Sequence, residues 1–340
     1  MGAKVSFIVA VYNIGGFIER CARSLFEQSL EDIEIVFVND ASTDGSEAII
    51  HRVLEEYPKR KKQVRFVEHH VNQGIRETRK DGFYSATGEY VNFIDGDDYV
   101  EPLMAELMYS KAVETGADLV VCDFVRHYLK GSRVCTQVPN GVIEDGENVR
   151  DDMINRRVAG TIWCKLIHRT LFLDNDIVWP ANESHEDMVL STVAAFYAHK
   201  IAYVPVALYH YVFNPKSISN ISDAESVARK IWLYVRNNKV IFDFLKREGV
   251  DKKYAEGILA NKVLARNLIL PYTKKLKYRK LWLKTYPEVN KLLLLGNKEY
   301  RSTYREKLWF LAIGLGLYPK MKHRLLSKRF KPDRMWCQMS

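Results

Sequence analysis

The chain has 340 residues, of which 47% are hydrophobic, so it is large enough for one large or two small folded domains. Its formal net charge of +9 indicates an anionic partner, such as nucleic acid, a membrane surface or a phosphate-rich substrate. The five scattered cysteines form no CxxC pair, which argues against zinc and a disulfide framework and predicts a reduced chain. We expect neither a signal peptide nor a membrane-spanning helix, since no stretch reaches ~20 apolar residues.

Short apolar runs alternate with helical patterns in the first part of the chain. Strands are predicted at Val5–Val11, Ile33–Val38, Val64–Val67 and Tyr90–Ile94. Helices are predicted at Phe17–Gln28, Ser46–Tyr57 and Ile75–Ala86. Strands that alternate with helices form βαβ units, so we predict an α/β fold with a mostly parallel sheet flanked by helices.

The fourth predicted strand ends abruptly in three carboxylates, Asp95, Asp97 and Asp98. Gly96 lies among them and supplies backbone freedom for a sharp turn. Crowded carboxylates repel each other, and a divalent cation that bridges them to substrate phosphates removes this repulsion. Mn²⁺ and Mg²⁺ accept such oxygen ligands, so the turn predicts a site for a divalent cation and a diphosphate. The alternative is a solvated acidic turn. An EF-hand is rejected, because Val100 stands where its loop needs Gly.

Polar residues also follow two other predicted strands, at Tyr12-Asn13 and Asn39-Asp40. Ligands of parallel sheets bind at the carboxyl ends of the strands, so these residues should share one rim with the acidic turn. Helix capping is the alternative for Asp40 and for Asp44. Because Asp40 ends a strand rather than opening a helix, we favour a ligand role for it.

The second half of the chain is less regular. We predict helices at Glu101–Thr115 and Met188–His199, and strands at Asp118–Phe124 and Ile201–Tyr211. Long basic helical patterns then begin. Two domains are therefore predicted, over residues 1–222 and 223–340.

The C-terminal region contains an apolar stretch, Leu308–Tyr318, that is too short to span a bilayer and is flanked by Lys and Arg. The pattern fits an interfacial helix on anionic lipid, and it also fits a core helix with a solvated basic tail. A second basic cluster at residues 274–280 favours the membrane. We predict a cytoplasmic protein, either free or peripheral on the inner face of the plasma membrane.

Several segments, in this order, resemble the glycosyltransferase family 2 enzymes of the GT-A fold. They are VSFIVAVYN (5–13), VNDASTDGS (38–46), NQGIRETRKDGFYSATGEYVNFIDGDDYV (72–100), IWCKL (162–166), HED (185–187) and YHYVFNPKSIS (209–219). The resemblance implies a Rossmann-like nucleotide-binding domain with a C-terminal helical extension. It also implies metal-dependent transfer of a hexose or N-acetylhexosamine, with inversion, from a nucleotide sugar, with UDP as the expected nucleotide. The implied acceptor is a saccharide or a lipid-linked acceptor in surface polysaccharide assembly.

The resemblance implies donor-side roles for seven residues. They are Tyr12, Asp40 and Arg79 at the base and ribose, Asp97 and Asp98 at the ribose and metal, Asp95 in the same acidic cluster, and Lys165 at the diphosphate. A surface lysine is the alternative for Lys165. The helix after Asn72 departs from the family, because Thr78-Arg79-Lys80 stands where an Ala-Arg-Asn triplet is usual.

On the acceptor side, the resemblance implies that Asp187 or Glu186 is the base, and we favour Asp187. An acceptor hydroxyl is a poor nucleophile until a carboxylate takes its proton. Inversion needs one such base opposite the leaving group. The alternative is that both acids lie there because helix N-termini favour negative charge.

Three aromatic residues, Trp163, Tyr209 and Tyr211, are assigned to sugar stacking or equally to core packing, and His210 to structure. Two other functions are considered. A sugar nucleotidyltransferase would need a basic residue in the loop at Gly15-Gly16, which lacks one. A nucleic-acid-binding protein would explain the charge, but no recognition motif is evident, so no nucleic-acid partner is expected.

Overall fold

The computed structural model describes residues 2–137, 146–154, 158, 160–175, 177, 179–180, 185–217, 224–272 and 275–290. These residues form two compact units, the first up to residue 217 and the second from residue 224 onward. The first unit contains the sheet, and the second is helical. In these ranges, no helix is both long and apolar enough to cross a membrane.

Four parallel strands form the first half of the sheet, in the order β3-β2-β1-β4. They are β1 (Val5–Val11), β2 (Ile33–Asn39), β3 (Val64–Glu68) and β4 (Tyr90–Asp95). Helices α1 (Ile18–Phe26), α2 (Ser46–Glu55) and α3 (Ile75–Ser85) connect them. The predicted α/β fold is confirmed. The carboxyl ends of these parallel strands lie at one edge of the sheet.

The second half of the sheet mixes strand directions. Its strands are β5 (Tyr99–Val100), β6 (Leu119–His127), β7 (Ser132–Cys135), β8 (Lys165–His168) and β9 (Ile201–Tyr211). Its helices are α4 (Met104–Thr115), α5 (Gly146–Ile154), α6 (Thr170–Leu173) and α7 (Glu186–Tyr197). The order continues from β4 through β8, β6 and β9 to β5, with β8 antiparallel to both of its neighbours. The sequence did not predict β8, since four residues are too few to show a strand period.

Close packing explains the glycine in the acidic turn. Gly96 does not adopt a left-handed backbone. A Cβ atom at this position would lie 2.6 Å from the carbonyl oxygen of Ala10 and would also collide with the side chain of Ile14. The turn thus packs closely against the end of β1 and the loop after it. The predicted reason for this glycine, backbone freedom, was therefore wrong, although the turn itself is present.

The described cysteines differ in oxidation state. Cys21, Cys122 and Cys164 are buried free thiols, and burial raises the pKa of Cys21 and Cys122 well above the usual value. Cys135, at the end of β7, is disulfide-bonded. The expectation of a fully reduced chain is therefore wrong at this position.

The second unit consists of α8 (Ala224–Arg247), α9 (Ala255–Asn267) and α10 (Leu276–Lys284). Seven of its buried apolar side chains form one cluster, which comprises Ile231, Val263, Ile269, Leu270, Tyr278, Trp282 and Val289. The apolar stretch predicted at Leu308–Tyr318 lies outside the described residues.

Candidate active site

Asp98 fixes the acidic turn that joins β4 to β5. Its side chain is 1% exposed. Its Oδ2 accepts a hydrogen bond from Tyr209 Oη at 2.6 Å, and its Oδ1 accepts one from the backbone N–H of Val212 at 2.7 Å. Burial, together with the charges of Asp97 and Asp95, raises the pKa of Asp98 well above its usual value. Asp98 is therefore held by the end of β9, and both of its oxygens are engaged inside the protein.

Asp95 and Asp97 are the half-buried carboxylates of the same turn. Asn214 Nδ2 donates to Asp97 Oδ2 at 2.9 Å, and Arg79 Nη2 donates to Asp95 Oδ1 at 2.5 Å. Burial and repulsion from Asp95 raise the pKa of Asp97 to about 6. Among the described residues, no other residue donates to the second oxygen of either carboxylate. These two oxygens are therefore available to a ligand.

Arg79 links the acidic turn to α7. It lies on α3, is 4% exposed, and donates from Nη1 to Glu186 as well as from Nη2 to Asp95. Burial by itself would lower the pKa of Arg79, but the carboxylates of Glu186 and Asp95 raise it above the usual value. The guanidinium is thus a fixed cation between two acidic groups. Arg79, which was predicted to contact the base and ribose of the donor, thus lies beside the acidic turn.

The two acids at the start of α7 have different environments. Glu186 is 3% exposed and contacts Arg79, whereas Asp187 is partly exposed and accepts a hydrogen bond from the N–H of Met188 at 2.8 Å. Burial raises the pKa of Glu186 to about 7, against the opposing effect of Arg79. His185, which precedes the helix, has a left-handed backbone with φ of 61°. Asp187 is therefore the more accessible acid of the pair.

Tyr12 lies at the rim, directly after β1, with 49% of its side chain exposed. The loop that follows it is tied to the loop after β2. Asn13 Oδ1 accepts from the N–H of Thr43 at 2.8 Å, and Asp44 Oδ2 accepts from the N–H of Gly15 at 2.7 Å. Asp44 Oδ1 also accepts from the N–H of Ser46 at the start of α2. The N-cap of α2 is Gly45, which has no side-chain cap hydrogen bond, so Asp44 is not the N-cap residue. Asp44 instead joins the start of α2 to the loop after β1, and these bonds hold together the two loops beside Tyr12.

Asp40 lies at the end of β2 and is 2% exposed. It accepts hydrogen bonds from His69 Nδ1 at 2.7 Å and from the N–H groups of Gln73 and Gly74 at 2.8 Å. Gly74 directly precedes α3, so Asp40 fixes the turn that opens this helix. The structure thus gives Asp40 a structural role, and its predicted contact with a nucleotide stays a prediction.

Lys165 is fully buried at the start of β8, and its Nζ donates to the carbonyl of Thr161. It therefore lies in the core, not at the surface of the rim, and its predicted diphosphate contact stays a prediction. The neighbouring Trp163 is also buried and stacks on Tyr209 with ring centroids 4.3 Å apart. This geometry confirms core packing for both rings.

Sequence reasoning missed the residues after β9 that hold the acidic turn. His210 bonds to Glu101 at 2.7 Å and to His127 at 3.0 Å, as expected of a structural histidine. Val212 and Asn214, however, contact the turn directly. The only signal for them was their position in the segment YHYVFNPKSIS.

Residues 6–150 match a family model described as glycosyl transferase family 2. This chain contains a glycosyltransferase family 2 domain. The chain is similar to the uncharacterized glycosyltransferase YibD of Escherichia coli, with 31% identity over 224 residues, 64% of this chain and 64% of that protein. It is also similar to the poly(ribitol-phosphate) beta-glucosyltransferase of Bacillus spizizenii, with 31% identity over 214 residues, 62% of this chain and 32% of that protein. The chain thus spans less than two thirds of the length of these relatives.

A solved structure of S. aureus TarS, residues 1–349 in complex with UDP, superposes on this chain with a TM-score of 0.66. The two sequences are 20% identical, and the match covers 94% of this chain and 93% of that one. At this identity the similarity shows the fold alone. The fold around the family 2 domain is therefore the predicted GT-A fold.

Proposed function

We propose that the chain is a glycosyltransferase that moves a sugar from a nucleotide-sugar donor to an acceptor hydroxyl, with inversion at the anomeric carbon. The contact of Arg79 with both Asp95 and Glu186 carries this proposal, because it places the acidic turn next to the start of α7. A donor diphosphate at the turn and an acceptor beside Asp187 would then occupy one site.

A divalent cation, Mn²⁺ or Mg²⁺, would bind Asp95 and Asp97 together with the donor diphosphate. In the part of the chain that the structure describes, no group of three or more Asp, Glu, His or Cys side chains could hold a metal. Two carboxylates with available oxygens fit a cation that takes its other ligands from phosphates and water. The cation would neutralise the charge of the departing nucleoside diphosphate. Asp98, the other predicted metal ligand, accepts one hydrogen bond at each oxygen, so each oxygen keeps room for one further ligand and Asp98 stays a proposed ligand of the cation.

Asp187 is the proposed base. Attack on the anomeric carbon requires a carboxylate that takes the proton of the acceptor hydroxyl. Glu186 is occupied by Arg79, so one acid of the pair is left for this task. Asp187 as the single base corresponds to direct displacement, which inverts the anomeric carbon.

UDP is the proposed donor nucleotide, and a hexose or N-acetylhexosamine the proposed sugar. The TarS structure contains UDP, which supports this choice at the level of the fold. The name of the B. spizizenii relative refers to a glucosyl group and a polymer acceptor. We therefore propose a saccharide or lipid-linked acceptor in surface polysaccharide assembly. The family match favours this function over a sugar nucleotidyltransferase.

Thermal unfolding with a panel of nucleotides and nucleotide sugars, with and without Mn²⁺, tests this proposal. We expect UDP and UDP-sugars to raise Tm, since a ligand at 100 times its Kd stabilises a protein by about 2.7 kcal/mol. Asp97→Ala should abolish the additional shift caused by Mn²⁺. The surface variant Asp32→Ala, a control that removes an exposed carboxylate, should retain it. No shift with any nucleotide would contradict the function, and an unchanged Mn²⁺ effect in Asp97→Ala would contradict the cation site.

The second unit offers a surface for anionic lipid. On and beside α10, the lysines Lys275, Lys277, Lys280 and Lys284 are exposed. Two leucines on the same helix are exposed as well, Leu276 by 59% and Leu281 by 38%. Lysines beside apolar side chains are typical of helices that lie in the membrane interface. We propose that this helix brings the enzyme to an anionic membrane that carries its acceptor.

Flotation with vesicles tests the membrane proposal. The protein should float with vesicles that contain phosphatidylserine and should stay at the bottom with neutral phosphatidylcholine vesicles. The double variant Lys277→Glu/Lys280→Glu should lose flotation, because each basic residue near an anionic surface contributes about 1 kcal/mol. Lys111→Glu, on α4 of the first unit, is the matched control. Wild-type protein that stays at the bottom with anionic vesicles would contradict the proposal.

A further inference from the structure

His69, the residue directly after β3, lies between two carboxylates that are not part of the acidic turn. Its side chain is 4% exposed. Its Nδ1 is 2.7 Å from Asp40 Oδ1, and its Nε2 is 3.1 Å from Asp81 Oδ2. An ionised carboxylate can only accept hydrogen bonds, so Nδ1, the nitrogen with the shorter contact, donates to Asp40. The imidazole thus joins the end of β2 to α3.

The two contacts of His69 differ in environment. The Asp40 side chain is 3% exposed, whereas that of Asp81 is 42% exposed. Water screens the contact with Asp81, and such exposed pairs contribute little. The contact with Asp40 is buried and charge-assisted, so it is the stronger of the two. His69 therefore acts mainly on Asp40.

The bonds to Asp40 distinguish its two oxygens. Oδ1 accepts from His69 Nδ1 and from the N–H of Gln73, whereas Oδ2 accepts from the N–H of Gly74. Each carboxylate oxygen has room for two hydrogen bonds. Oδ1 is therefore saturated, and Oδ2 can accept one more donor.

We propose that His69 is a positioning residue for the donor nucleotide. By holding Oδ1 of Asp40, it keeps Oδ2 ready to accept a hydrogen bond from a base N–H or a ribose hydroxyl. This inference rests on the proposed function and on the predicted contact of Asp40 with the base or ribose of the donor nucleotide. Both ring nitrogens of His69 are engaged with carboxylates, so the histidine acts through Asp40.

Two substitutions at His69 separate its two contacts. The amide nitrogen of Asn takes the place of Nδ1, so His69→Asn keeps a donor for Asp40. The longer side chain of Gln brings its amide nitrogen to the place of Nε2, so His69→Gln keeps a donor for Asp81 only. Asp81→Asn removes charge at the exposed contact and is the control. The substituted residue in each of the three variants is a neutral amide of a size similar to the side chain it replaces. Their Tm values verify that the variants are folded.

Isothermal titration with UDP measures the effect on nucleotide binding. His69→Gln should bind UDP roughly tenfold more weakly, as expected for the loss of one charge-assisted hydrogen bond. His69→Asn and Asp81→Asn should bind UDP within about twofold of wild type, since the bond to Asp40 persists. In sugar transfer, His69→Gln should raise KM for the donor and leave kcat unchanged.

The outcomes separate this inference from the proposed function. Equal UDP affinity in His69→Gln and His69→Asn would overturn the positioning role, whether both are weakened or neither is. A fall in kcat without a rise in KM for the donor would overturn it as well. Wild-type protein that binds no UDP would overturn the nucleotide assignment and this inference together.

Discussion

Replacing Asp187 with Asn is expected to lower kcat for sugar transfer by about 10²- to 10⁴-fold, the usual contribution of a general base. The amide has the shape of the carboxylate and can still accept the hydrogen bond from the N–H of Met188, so the start of α7 should remain folded. It cannot take a proton from the acceptor hydroxyl. Initial rates with a UDP-sugar, together with titration of UDP, should show lost transfer and unchanged nucleotide affinity.

Glu186→Gln is the matched control for Asp187→Asn. The Gln oxygen can still accept from Arg79, which keeps the link between α3 and α7. We expect this variant to retain far more activity than Asp187→Asn. The opposite ranking would assign the base to Glu186, and full activity in both variants would show that neither acid is the base.

Replacing Arg79 with Met is expected to destabilise the first unit by about 3–5 kcal/mol, the usual effect of removing one partner from a buried ion pair. Methionine fills much of the space but carries no charge. Asp95 and the buried Glu186 would then face each other without a cation. Urea unfolding of both proteins measures the difference, and the proposed site would lose its geometry with the fold.

Lys80→Met is the matched control, since it removes a cation from the same helix. The Lys80 side chain is 37% exposed and lies 3.5 Å from Glu77. Exposed pairs contribute about 0–1 kcal/mol, so this variant should remain near wild-type stability. Equal losses of unfolding free energy in both variants would show that the buried ion pairs of Arg79 stabilise the fold no more than the exposed pair of Lys80.

The stability deficit of Arg79→Met should depend on pH. Without the guanidinium, burial raises the pKa of Glu186 further above its value in the unfolded chain. A group with a raised pKa in the folded state stabilises the fold at low pH, and this contribution is lost as pH rises through the folded pKa. The deficit should therefore be smaller at about pH 5 than at about pH 8. A deficit that is equal at both pH values would contradict the role of uncompensated carboxylates.

Local patterns made the first half of the fold predictable. Strands β1 and β2 are buried along nearly their whole length, so they appear in the sequence as apolar runs that a breaker ends. The acidic turn also follows from β4 directly, and the structure places it where the sequence did. The short strand β8 and the mixed directions beyond β4 have no such local signal.

Contacts between distant residues explain what the sequence could not supply. Arg79 was assigned to the base and ribose, but in the structure it pairs with Asp95 and with Glu186, which is 107 positions away. Lys165 has the charge of a phosphate ligand, yet its place on β8 buries it. Residue type and spacing show that a side chain can carry charge, whereas its partner depends on tertiary packing.

The bonds that hold the acidic turn have a consequence for the order of folding. Tyr209, Val212 and Asn214 reach the turn across 111, 114 and 117 positions of the chain. Closing such long loops costs conformational entropy, which is recovered only when most of the sheet has assembled. The turn therefore reaches its final geometry late. A fragment that stops at residue 150 would contain all three aspartates of the turn. It would lack Tyr209, Val212 and Asn214, which donate the hydrogen bonds that hold the turn.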